Sequence, residues 1–122
     1  MGKKKIDRDI ALKVLAAVEA VKDALADLME TMFIIYQPKD FYGNVGDTAT
    51  FSVVAMNVAA YQWQYSENDG VTWKNSGTSI PKTATISYEI TEATYNNLRR
   101  CRLTDAGGNQ IYTEVVRVRQ PE

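Results

Sequence analysis

Tyr61-Gln62-Trp63-Gln64-Tyr65-Ser66-Glu67-Asn68-Asp69-Gly70-Val71-Thr72-Trp73 is the stretch that decides the fold. Aromatic and polar residues alternate through 61–65, as in a half-buried strand, Asn-Asp-Gly supplies a tight turn, and a second tryptophan returns on the far side. The expected element is a hairpin with Trp63 as a heavy core anchor. Nothing in it is reactive, so it speaks for architecture rather than catalysis.

Working outward, residues 33–38 read as a first strand, and Pro38 marks its edge or exit because proline cannot donate to a ladder. Residues 44–47 form a turn around Gly46. Residues 48–55 then alternate, with Ala49, Phe51, Val53 and Ala55 on one face. Beyond the hairpin come a Ser/Gly/Pro-containing connection, 75–81, and a strand, 83–90, with Ala84, Ile86, Tyr88 and Ile90 on a common face. Residues 99–104 carry Cys101 and Leu103 inward, and after a Gly-Gly-Asn turn one last strand is expected over 110–119. Short strands separated by regular turn signals describe an antiparallel β-sandwich.

The N-terminal segment obeys a different period. From residue 6 to 31 there is no glycine or proline, and strong helix formers dominate. Apolar residues at Val14, Val18, Val21, Leu25, Leu28 and Met32 follow steps of four and three, a heptad seam flanked by Ala11, Ala17, Ala20 and Ala24. The chain is thus expected to be mainly β, with a long amphipathic helix in 1–32 followed by a sandwich in 33–122. An amphipathic helix packed on its own domain is one reading of this stripe; because the sandwich that follows completes its own core, a partner in another chain is the expected one. Valine at d and leucine at a favour a homo-oligomer of three or more strands, a trimer for instance, over a simple dimer. A groove on another protein is the alternative. Charge is asymmetric: Lys3, Lys4, Lys5, Arg8 and Lys13 crowd the first half, and Glu19, Asp23, Asp27 and Glu30 the second. A basic tip facing an acidic partner and a merely solvated end both fit this pattern.

Composition narrows the function classes. The 122 residues hold 14 basic and 15 acidic side chains, so there is no electrostatic signature of a nucleic-acid binder. Histidine is absent and Cys101 is the only cysteine, which excludes an intramolecular disulfide and a His/Cys zinc site. No cofactor or metal is expected, and no catalytic constellation is present. Charged residues interrupt the segment after the lysines, so neither a signal peptide nor a membrane span is expected. Synthesis and assembly in a cytoplasm follow from that reading.

Several segments together carry a resemblance: 34–40 with its Gln37-Pro38-Lys39-Asp40, 46–53, the hairpin itself, and Arg100-Cys101-Arg102-Leu103-Thr104-Asp105 before the Gly-Gly-Asn turn. From about 33 to 118 the chain resembles bacterial and bacteriophage immunoglobulin-like modules. The resemblance implies that Val53 occupies the first sandwich-cysteine position, leaving Cys101 reduced and apolar against Val53 and Trp63. Arg99 stands where the corner tyrosine is common, so either Tyr95 supplies the corner bond or the turn at 96–97 is held differently.

A helical anchor ahead of such a module resembles phage virion components: capsid decoration proteins, head fibres and tail accessories. The resemblance implies other virion proteins or self as partners, weak adhesion to surface glycans, and a virion location. A bacterial cell-surface adhesion module is the alternative, disfavoured by the missing signal and by a chain that starts at Met1 and ends just after its last strand. Two interaction regions are expected. One is the helix stripe of Val14, Val18, Val21, Leu25, Leu28 and Met32. The other is an exposed tip opposite the helix, formed by Asn44, Glu67, Asn68, Asp69, Tyr95, Asn96 and Asn97, whereas loops 56–60 and 105–109 face the helix end. Arg100 and Arg102 lie on an outer sheet face near Arg117 or Arg119, either as an anion patch or paired with Glu89 or Glu114.

Overall fold

A computed structural model describes residues 7–77 and 84–121, except for the side chains of residues 28 and 29. The chain divides into two compact units, Met1–Thr31 and Met32–Glu122. The first contains one helix, α1 (Arg8–Glu30). Asp7 caps its start, with its carboxylate accepting the Asp9 N–H at 2.8 Å, so a free donor of the first turn is satisfied. Thr31 closes the far end in an extended conformation, its N–H still bonded to the Asp27 carbonyl at 2.9 Å.

The helix therefore stops before Met32, which corrects the expected seam. Met32 is nine-tenths buried and belongs to the core cluster of the second unit. Its apolar side chain falls on the heptad only because the seam and the first strand are both apolar at that spacing.

The second unit is built of strands β1 (Phe33–Tyr36), β2 (Phe41–Tyr42), β3 (Thr48–Ser52), β4 (Val54–Met56), β5 (Ala60–Ser66), β6 (Lys74–Asn75), β7 (Thr85–Glu89), β8 (Leu98–Thr104), β9 (Gln110–Tyr112) and β10 (Val116–Arg119). The protein is mainly β with one N-terminal helix. β1 pairs antiparallel with β4, β3 with β7, and a larger sheet runs β2-β10-β8-β5-β6 with β9 also on β8. Two expected single strands are each broken in two. Residues 48–55 divide at Val53, since β3 bonds to β7 while β4 bonds to β1 across a bulge between Ile34 and Tyr36. Residues 110–119 divide at 113–115, where Thr113 Oγ1 accepts the Cys101 N–H at 2.9 Å in place of a ladder bond.

Trp63 sits directly opposite Cys101 in the β5–β8 register. Both join Ala49, Phe51, Val53, Ile90, Leu103, Val116 and Val118 in one buried cluster, so the β3–β7 ladder and the larger sheet contribute to a shared core. Phe51 stacks on Tyr88 with ring centroids 6.2 Å apart. The opposite face of the β3–β7 ladder is polar, with Thr50 and Ser52 hydroxyls bonded across the strands to Ser87 and Thr85.

Residues 37–42 carry the chain from the β1 ladder to β10, where β2 runs parallel to it. The Gln-Pro-Lys-Asp segment shows how. Pro38 cannot donate, and side chains supply bonds that a ladder would otherwise make: Gln37 Oε1 accepts the Glu114 N–H at 2.9 Å and Asp40 Oδ1 the Arg117 N–H at 3.0 Å. Asp40 also pairs with the Arg119 guanidinium. Partial burial pushes the Asp40 carboxyl up, but the hydrogen bonds and charges of Arg119 and Arg117 outweigh it and hold the group below its usual range. A lowered folded-state pKa adds stability that is complete above the ordinary carboxylate value of 3.8 and is lost as pH falls through the folded value. Asp40→Asn should thus lower denaturant stability by about 1–2 kcal/mol at neutral pH. The gap from wild type should close on acidification; a gap that persists in acid would contradict this role.

Candidate functional site

Three surfaces carry chemistry. The first is α1. Val14, Val18, Val21 and Leu25 are 46–58 % exposed, and Ile10, Leu12 and Leu15 are equally open. The Leu28 side chain lies outside the described residues, as do Lys3, Lys4 and Lys5.

The second surface is the end of the β unit where the hairpin turns. Gly46 N–H donates to the Ile90 carbonyl at 2.8 Å, Gly43 N–H to Arg119 at 3.0 Å, and Ser66 registers with Leu98. These bonds bring segments 43–47, 67–70 and 91–97 and the end of β10 together. At the other end, Phe33 registers with Met56, and the Ala59 N–H bonds to Thr104. The expected grouping of loops is therefore present. Asn44, Val45, Glu92, Tyr95 and Gln120 line a shallow depression there.

Individual tip residues differ in what they offer. Asn44, Glu67, Asn68, Asp69 and Asn96 are exposed, whereas Tyr95 is half-buried against the core. Asn97 is only 7 % exposed, which corrects its assignment to the exposed tip: its N–H closes a turn on the Thr94 carbonyl, and β8 begins at the next residue. Asn68 is occupied by the hairpin itself. Its Oδ1 accepts the Ser66 hydroxyl and the Thr72 N–H, while its Nδ2 donates to Thr72 Oγ1 at 2.7 Å. Asp69 and Gly70, at φ 60° and 88°, are the left-handed central pair of a turn closed by the Val71 N–H on the Asn68 carbonyl at 3.3 Å, but this turn lies inside a longer connection, 66–73, because the β5–β6 ladder ends at Tyr65–Lys74, which corrects the expected tight hairpin returning through Trp73. Glu67 is paired with Lys74 at 2.9 Å.

The third surface, the outer face of the larger sheet, was only partly legible in sequence. Arg100 and Arg102 do alternate outward, but neither pairs with Glu89 or Glu114 among the described salt bridges. Arg117 registers with Leu98 and reaches Asn96, while Arg119 is held by Asp40. Instead the Arg100 guanidinium lies 4.2 Å from the ring centroids of both Trp73 and Tyr112, and its Nε donates to Gln64 Oε1 at 2.9 Å. Tyr112 registers with Arg102, so placing β9 beside β8 would have disclosed the stack.

Arg99 points inward and is 5 % exposed, with its guanidinium 3.8 Å above the Tyr88 ring and Nη1 donating to Ser76 Oγ. The aromatic faces supply the negative potential that a carboxylate would otherwise give this buried cation. Tyr95 Oη has no hydrogen-bond partner among the described residues, so it does not make the corner bond. Reciprocal bonds between Thr91 and Thr94 hold that turn.

Among the described residues no group of three or more potential metal ligands comes together, and no helix is long and apolar enough to cross a membrane. Asp105, the carboxylate of the β8–β9 turn, is held low by the Asn109 side-chain and backbone donors and the Gly107 N–H.

No protein-family description matches this sequence, and no curated protein sequence matches it. Among solved structures, the chain is similar to one in the complex of titin M10 with the obscurin-like 1 Ig domain, at 16 % identity and a TM-score of 0.46, covering 75 % of this chain and 96 % of that one.

Burial pushes the Cys101 thiol up to about 12, despite the opposing influence of a backbone donor and Arg102. The reactive thiolate is therefore scarce in the folded protein near neutral pH. Iodoacetamide should label Cys101 only through unfolding of the β unit, and rapid labelling of the native protein would contradict the burial described.

Proposed function

We propose that this is a non-enzymatic structural protein in which an immunoglobulin-like antiparallel β-sandwich is displayed and α1 is the assembly segment. In a bacteriophage virion it would serve as capsid decoration, head fibre or tail accessory, assembled in the host cytoplasm. The sandwich reading is supported by the crossover at 37–42, which moves the first strand from the β4 edge to a parallel position on β10, and by the core that Trp63 and Cys101 share with Val53.

One observation carries the role of α1. Seven large aliphatic side chains on it are 46–58 % exposed, whereas every residue of the buried core lies at Met32 or later. Burying such side chains is worth roughly 1.5–3 kcal/mol each, and most of a helix's stability in a protein comes from packing of its apolar face rather than from propensity. The sandwich needs nothing from the stripe, so the stripe serves association. Weak contacts with surface glycans belong on this reading to the hairpin-turn end, where Asn44, Glu67 and Asn96 are exposed.

The test replaces Val21 and Leu25 with Asp. The double variant should be lost from purified particles or assemblies while its buried Trp63 keeps its native fluorescence. A β unit that unfolds with these substitutions would overturn the reading, because the helix would then belong to its core.

A further inference from the structure

We propose that the outer face of the larger sheet is a docking site for an acidic polypeptide, with the Arg100 guanidinium receiving an aspartate or glutamate carboxylate of the partner protein. The surface lies wholly within the β unit, so the inference stands whatever covers α1.

Two large aromatic side chains are spent on this one arginine. Neither Trp73 nor Tyr112 is part of the buried core or of the half-buried side chains packed against it. Trp73 precedes β6 on one side of β8 and Tyr112 lies in β9 on the other, yet both converge on Arg100, with ring centroids 4.2 Å from its guanidinium. The negative ring faces hold the cation between them. Gln64, itself only 6 % exposed, fixes the third direction: its Oε1 accepts from Arg100 Nε at 2.9 Å, and its Nε2 donates to Asn75 Oδ1 at 3.1 Å.

What is left free decides the ligand. Arg100 Nε is used, whereas its two terminal amines make no hydrogen bond or ion pair among the described residues. That end of a guanidinium offers two parallel N–H groups in one plane, the arrangement a carboxylate accepts with both oxygens. Two residues along the strand, roughly 7 Å away, Arg102 shares the face, and its buried Nε has no hydrogen-bond partner among the described residues. Glu67 is taken by Lys74, Asp40 by Arg119 and Asp105 by the donors of its own turn. The face thus carries two positive charges without counter-charges, and electrostatic complementarity calls for an acidic partner.

A protein chain fits this surface better than a sugar acid or a nucleotide. Tryptophan, tyrosine and arginine are the side chains in which protein interfaces concentrate their binding energy. A sugar or a base would instead stack on open aromatic faces, and here one face of each ring is already given to the guanidinium. Because Arg100 is held before any partner arrives, little ordering remains to oppose binding.

The experiment follows the full chain by two-dimensional NMR, with a capped peptide of four glutamates as the probe. A four-glutamine peptide, a four-unit galacturonate and inorganic phosphate are the comparisons. The glutamate peptide should bind saturably, shifting the Trp73 indole N–H and the Arg100 Nε–H while the Trp63 indole stays put. Arg100→Lys keeps the charge but loses the planar fork, and should weaken binding about tenfold. Tyr112→Ala should weaken it by removing one support of Arg100, and Arg117→Lys, outside the site, should leave it unchanged. Absence of saturable binding, an equal loss in Arg117→Lys, or shifts confined to residues 1–18 would overturn the proposal. Equal or tighter binding of the galacturonate, the phosphate or the glutamine peptide would overturn it too, by assigning the face to sugar acids, to free anions or to no charge preference. Should Arg100→Lys fail to fold, the wild-type shift map decides alone: shifts centred away from Trp73, Arg100 and Tyr112 contradict the assignment.

Discussion

The contact between Trp63 and Cys101 across the β5–β8 register is the constraint on which the β unit depends. With a single cysteine in the chain, no covalent bridge joins its ladders. Cohesion rests on close apolar packing, with Val53, Phe51, Leu103 and Val118 at 2 % exposure or less. Trp63 contributes the largest apolar surface of this cluster, and the strands to either side are placed by the need to cover it. Removing large buried groups from such a core costs about 3–5 kcal/mol, a large part of the stability of a domain this small.

Around that centre, side chains do work that sheet ladders leave undone. Gln37 and Asp40 bond the β10 strand while the chain changes ladders, Thr113 bonds β8 where β9 gives way to β10, and Asn68 with Ser66 holds the hairpin. Each meets the same physical demand, that a buried backbone group find a partner. Arg99 meets it only in part, through tyrosine faces and Ser76, since its buried Nε has no hydrogen-bond partner among the described residues.

How much of this was legible in the sequence depended on the range of the interactions. The helix, the Asn-Asp-Gly turn and the inward alternation of Cys101 and Leu103 follow from local period and turn chemistry, and the grouping of loops at the two ends follows from strand order. The end of the helix was misplaced because Met32 continues the heptad spacing and only its tertiary surroundings assign it to the β core. Asn97 was taken for a tip residue because asparagine suits turns, whereas here it precedes a buried strand. The arginine stack with Trp73 and Tyr112, and the division of two strands, depend on which strands pair, which a one-dimensional pattern does not contain.

The two units meet opposite requirements. The β unit buries what it must, and α1 presents its aliphatic side chains to solvent. A helix of that kind gains its stability from whatever covers it, so its order should depend on chain concentration while that of the β unit does not. Hydrogen exchange of the full chain across a concentration series tests this most directly. Amide protection in Arg8–Glu30 should rise with concentration while protection in β5 and β8 stays constant. Protection of α1 that is independent of concentration, and lost in the same cooperative step as that of β5 and β8, would contradict the account.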